Sequence, residues 1–145
     1  MRKLFLLSLL LLFMSASGGT LAVQGPQHGD PLTAEQKVLL ARYEVIRAAL
    51  AADDLPGAKA AAAQITDSAI ASQLSQSVDL AGARKSFYML SRAVMKVAHG
   101  QPGYYIFHCP EATYGEEWGH WVQTTEQPAN PYLGKANPAC GKIMH

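Results

Sequence analysis

The chain has 145 residues, with 12 lysines and arginines against 11 aspartates and glutamates, and only two cysteines. Arg2 and Lys3 precede an apolar N-terminal run, so without that segment the balance is 10 − 11 = −1. A near-neutral chain of this kind has no basic footprint for nucleic acid and no polybasic patch for a membrane surface, and two cysteines are too few for a disulfide-framework fold, so burial must supply most of the stability.

Met1-Arg2-Lys3, the apolar run from Leu4 to Met14 broken only by Ser8, and the small residues of Ser15 to Gly19 have the layout of a secretory signal peptide. The run of about 11 residues falls short of the ~20 that span a bilayer as a helix, so no membrane anchor is expected after cleavage. Thr20-Leu21-Ala22 offers the small side chains a signal peptidase accepts, with Ala16 to Gly18 as the rival site, giving a signal over residues 1–22. The remaining chain, roughly 120 residues, fits a single domain over residues 33–145. Residues 23–32, rich in Gly, Pro and polar side chains and including His28, read as a flexible leader.

Thr33-Ala34-Glu35-Gln36 is a capping box that opens the first helix, and Leu39, Tyr43, Ile46 and Leu50 follow on one face while Arg42, Glu44 and Arg47 fall elsewhere. Asp53-Asp54-Leu55-Pro56-Gly57 breaks it, and an Asp cap with Pro in the first turn restarts a helix through the alanine-rich stretch from Lys59 to Ile65, suited to close helix–helix approach. Thr66-Asp67-Ser68 is a further break and cap before a short stripe of Ile70 and Leu74. The longest helix is expected from about Asp79 to His99, with Leu80, Ala83, Phe87, Leu90 and Val94 on one side and Gly100 as the stop. Met89 and Met95 at helical spacing read as core filling.

Beyond Gly100 the texture changes. Gln101-Pro102-Gly103 is a turn, Tyr104 to His108 is rich in strand formers, and Trp118 to Thr125 is a second candidate strand across a loop from Pro110 to Glu117. Three prolines in the following Gln127 to Pro138 stretch exclude regular structure there. The expected fold is therefore mainly α: an antiparallel helical bundle over 33–100, followed by a small β-hairpin and irregular segment over 101–145 that carries both cysteines.

Cys109 and Cys140 decide the function, and the residues leave two uses open. In an oxidising compartment a structural disulfide would close a loop of about 32 residues, adding roughly 3–4 kcal/mol in the chain-entropy picture. Alternatively the two sulfurs join His108, Glu111 and His120 as ligands to a metal, although His108 and Cys109 would point to opposite faces of a strand. No nucleophile motif, haem-attachment pattern, phosphate-cradling loop or zincin helix is present, so no catalytic residue is assigned and an enzyme is not expected. The aromatics Tyr104, Tyr105, Tyr114, Trp118 and Tyr132 serve either as a small core or as a partner-binding surface.

The stretch Tyr43 to Lys59 and the motifs Arg84-Lys85-Ser86-Phe87-Tyr88-Met89-Leu90-Ser91, Tyr105 to Ala112, Trp121-Val122, Asn130-Pro131-Tyr132-Leu133-Gly134 and Cys140-Gly141 together resemble a periplasmic domain of unknown function. That domain occurs alone and at the C-terminus of efflux-adaptor subunits related to copper and silver export. The resemblance covers most of the mature chain. It implies an exported, periplasmic or secreted accessory protein that binds a copper or zinc ion and acts with a metal-efflux adaptor or another periplasmic protein. The family pattern has Cys-Pro-Met where this chain has Cys109-Pro110-Glu111, and a Met where this chain has Asn137 in Asn137-Pro138-Ala139-Cys140. Loss of both thioethers disfavours Cu(I), and Glu111 shifts any such site toward Zn(II) or Cu(II). The alternative is a disulfide-stapled helical module that binds a protein partner without metal.

Overall fold

The computed structural model describes residues 29–144. The expected signal segment, most of the leader with His28, and His145 lie outside the described residues. Four helices come first: α1 (Ala34–Ala51), α2 (Leu55–Ala62), α3 (Ala69–Ser75) and α4 (Leu80–Ala98). Each begins where a short polar side chain can accept from a freed backbone N–H of the first turn. Thr33 and Gln36 form the full capping box, Asp54 accepts from Gly57 N at 3.0 Å, Ser68 from Ala71 N at 3.2 Å, and Asp79 from Gly82 N at 2.7 Å.

The expectation of a mainly α protein is overturned. About 47% of the described residues are helical and 16% lie in a three-stranded antiparallel sheet, a mixed α/β architecture. The strands are β1 (Tyr105–Tyr114), β2 (Glu117–Gln123) and β3 (Lys142–Ile143), in the order β2-β1-β3. Two features account for the difference. First, β1 runs through Cys109 and Pro110 instead of ending there. Cys109 pairs with Gly119 and Thr113 with Trp118, so Pro110, Glu111 and Ala112 bulge out between adjacent partners. A bulge leaves residues without ladder bonds, which is where a proline with no N–H can sit inside a strand. Second, the tail after Cys140 returns to β1 as a short edge strand, with Phe107 opposite Ile143 and His108 opposite Lys142.

The sheet completes the core of the helices. Leu40, Tyr43, Ile46 and Leu50 of α1, Phe87, Leu90 and Val94 of α4, Phe107 of β1, Trp121 and Val122 of β2, and Tyr132 of the tail belong to one buried cluster. The α1 face differs slightly from the expected one. Leu40 is fully buried and Leu39 only partly, and Arg47, expected in water, is buried between Glu44 at 2.7 Å and the Ala129 carbonyl at 2.8 Å. Met95 packs against the core as expected, whereas Met89 stands 47% exposed on the other side of α4.

One edge of the sheet faces the helices, and tyrosine hydroxyls satisfy it. Val122 N–H on β2 donates to the Tyr43 hydroxyl at 3.2 Å, and the His120 carbonyl accepts from the Tyr132 hydroxyl. Both hydroxyls meet Ser91 of α4, at 2.7 and 3.3 Å. A strand edge that would otherwise present unpaired backbone groups inside the core is thereby closed.

Candidate functional site on the half-open face of the sheet

The five residues nominated as metal ligands fall into three separate places. Cys109 and Cys140 are joined in a disulfide, with Cα atoms 5.6 Å apart. Cys109 is fully buried on the central strand, so the bond pins β1 to the tail just before β3. Glu111 lies in the bulge, where its carboxylate accepts from the Asn137 side-chain amide at 2.8 Å. His108 and His120 stand directly opposite one another on β1 and β2. Among the described residues no group of three or more His, Cys, Asp or Glu side chains is arranged to hold a metal.

Strand alternation explains the split. Cross-strand partners share a face, so Phe107 with Trp121 and Cys109 with Gly119 look one way, while Ile106 with Val122 and His108 with His120 look the other. The first face is packed by the C-terminal excursion. Tyr132 lies so close to Gly119 that a Cβ there would stand 2.7 Å from its ring, and a Cβ on Gly141 would stand 2.7 Å from Trp121. The Asn-Pro-Tyr-Leu-Gly segment builds this packing. The Asn130 side-chain carbonyl accepts from the amides of Tyr132 and Leu133, and its NH2 donates to the Cys140 carbonyl at 2.7 Å. Arg84 of α4 clamps the same turn, donating to the carbonyls of Pro131 at 2.8 Å and Leu50 at 3.0 Å and to Asp53 at 2.6 Å. The side-chain hydrogen bond from Arg84 holds the Asp53 carboxyl below its ordinary value. These roles of Asn130, Tyr132 and Arg84 were not read from the sequence; the Asn-Pro pair, a common turn former, was the available signal.

The second face is half open. At its Ile106 end, α4 contributes Met95, Lys96 and His99 around a cavity of about 370 Å³ that also reaches Glu117 and His120. At the other end His108 and His120 are partly exposed, with ring centroids 6.1 Å apart. Trp118, 47% exposed, places its ring 5.1 Å from His108. Burial lowers the His120 imidazole below its usual value, opposed by a hydrogen bond to the Trp118 backbone and reinforced by the charge of His108. Glu117 at the rim is held by the Tyr88 hydroxyl and by Arg92 at 3.1 Å.

Of the aromatics offered as a partner-binding surface, Tyr132 is buried and Tyr104, Tyr105 and Tyr114 are partly buried against the core. Tyr88 stacks on Tyr114 at 4.6 Å and Tyr114 meets Tyr132 at 5.2 Å. They form the small core, and Trp118 alone among them stands at the surface. No helix among the described residues is long and apolar enough to cross a membrane. No protein-family model, curated protein or solved structure matches the chain, so the likeness to the periplasmic efflux-linked domain rests on the quoted motifs alone.

Proposed function

We propose that this protein acts after export as a disulfide-stapled binding module whose working surface is the half-open face of the sheet. The observation that carries the reading is the Cys109–Cys140 bond. It closes both sulfurs to metal and uses them to hold β1 against the tail, as suits a chain destined for the oxidising periplasm or extracellular space. A thiolate–carboxylate site made of Cys109, Cys140 and Glu111 would require reduction of that bond and release of Glu111 from Asn137. The face bearing His108, Trp118 and His120 remains available, since none of the three side chains anchors the core. An efflux adaptor or another periplasmic protein, the partner class the resemblance implies, would meet the module there. Thiol titration of protein recovered from the periplasm without reductant tests the reading: no reactive thiol is expected before or after denaturation, and two would overturn it.

A further inference from the structure

We propose that the half-open face recognises an acidic linear segment of a partner protein, with one bulky apolar side chain of that segment seated in the cavity between α4 and β1. The inference rests on that face being the working surface and names the chemistry of the partner it takes.

Charge is placed unevenly on this molecule. α4 carries four basic residues and no carboxylate over its 19 residues. Arg84 turns inward to its clamp, whereas Lys85, Arg92 and Lys96 fall on one exposed side, seven and four residues apart. Arg92 and Lys96 line the cavity at the Ile106 end of the face, and Lys142 joins them from β3, opposite His108. Lys96 and Lys142 make no ion pair among the described residues. Glu117, the one carboxylate lining the cavity, is already held by Tyr88 and Arg92. Arg92, Lys96 and Lys142 against Glu117 give this face a side-chain charge of +2 (3 − 1), which leaves −3 (7 − 10) on the rest of the exported chain. Unpaired cations around a recess repel one another, and the carboxylates of a partner relieve that repulsion.

Inside that rim the recess is apolar. Met95 and Ile106 line it. Met144 donates its N–H to the Ile106 carbonyl at 2.8 Å and stands 42% exposed beside it, and Trp118 is exposed at the other end next to His108. An apolar centre within a charged rim is the anatomy of a protein–protein contact, and thioethers adapt to anchors of different shape. At about 370 Å³ the cavity lies at the low end of pockets that enclose a small molecule, with room for one large side chain. A linear segment lowers such a side chain into the recess while its backbone follows the rim. An anionic bilayer meets only the rim, and a net charge of two is small against the clusters of about four to eight basic residues that hold proteins to acidic lipid.

The test uses the full mature chain with its disulfide intact, titrated at low salt with short synthetic peptides built of Asp, Glu and Gly around one Phe. Calorimetry and Trp118 fluorescence report binding. We expect saturable binding that weakens steeply with added salt. It should be about tenfold weaker or more when Ala replaces the Phe, and absent when Lys replaces the acidic residues. Lys96→Glu and Lys142→Glu should each weaken binding roughly threefold to tenfold. Lys59→Glu on α2, an equal change of net charge outside this face, should alter it by no more than about twofold. In the unaltered protein, amide signals that shift with peptide should gather at Arg92 to His99, Ile106 and Trp118 to His120, a readout independent of variant folding. No binding, equal binding of the Ala or Lys peptides, or shifts centred elsewhere would each overturn the proposal. So would uptake by phosphatidylglycerol vesicles without peptide binding, which assigns the face to lipid, or self-association broken by Lys96→Glu, which assigns it to a second copy. A thiol count on the same sample separates the two proposals: no thiols and no peptide binding removes the acidic partner alone, whereas two thiols remove the stapled-module reading.

Discussion

At the scale of single residues, the tyrosine hydroxyls that close the inner edge of β2 carry the sharpest consequences. Tyr43→Phe strips the buried Val122 N–H of its acceptor, and Tyr132→Phe strips the His120 carbonyl of its donor. Each should lower the unfolding free energy by about 1–3 kcal/mol in urea titrations. Since both hydroxyls meet Ser91, the double variant should lose less than the sum of the two, and strict additivity would show that they act separately. The same burial raises the pKa of Tyr43, pushes Tyr114 up to about 12, and lifts Tyr132 well above the usual value. A group whose folded pKa is raised contributes stability that is complete below the unfolded value, near 10.0, and lost as the pH rises through the folded one. Phenolate absorbance should therefore show these tyrosines protonated past the ordinary range and ionising as the fold collapses at alkaline pH. Early ionisation with the fold intact would contradict their burial.

At the scale of elements, the turn after β2 is joined to the helices by Arg84. Arg84→Met removes donors from the Pro131 and Leu50 carbonyls and from Asp53, and should cost about 2–3 kcal/mol while helix content persists. Gly134 lies in the same clamp with φ 55, where an added Cβ would stand 1.9 Å from Asp53. Gly134→Ala should thus destabilise through the same contact, by roughly 1–3 kcal/mol on denaturant midpoints. The helices themselves were legible from the sequence because their signals are local. Thr33, Asp54, Ser68 and Asp79 each cap an amide three residues on. The strands were legible only in part. Tyr105 to His108 has strand composition, but Pro110 and Glu111 read as a loop, and whether a proline ends a strand or sits in its bulge depends on the partner strand. The dipeptide Lys142–Ile143 has no strand signal of its own and becomes β3 because the disulfide and Asn130 bring it to β1.

At the scale of the molecule, helices and sheet share one core, with Phe107, Trp121 and Tyr132 packed into the cluster built by α1 and α4. Chains ending at Gly100 would expose that cluster, and each lost side chain removes about 1.5–3 kcal/mol of burial. Such a truncation should retain some helix by circular dichroism yet lose cooperative unfolding; a sharp transition would mean the helices have a sufficient core alone. Cys109→Ser and Cys140→Ser should lower stability by matching amounts, roughly 3–4 kcal/mol if loop entropy dominates. Unequal losses would show a role for one sulfur outside the bond.

The sequence by itself determined the helix starts, the strand-forming run into Cys109 and the near-neutral charge, because each depends on residues a few positions apart or on composition; the second helix, read through Ile65, ends at Ala62. Only the tertiary structure decided that Cys109 meets Cys140 across 31 positions, that Arg47 is buried under the Ala129 carbonyl, and that His108 faces His120 while turning away from Cys109. Those outcomes follow from register and chain return. A shift of one residue in the β1–β2 pairing would exchange the faces on which the histidines and the sulfur lie, and no local preference of the chain sets that register.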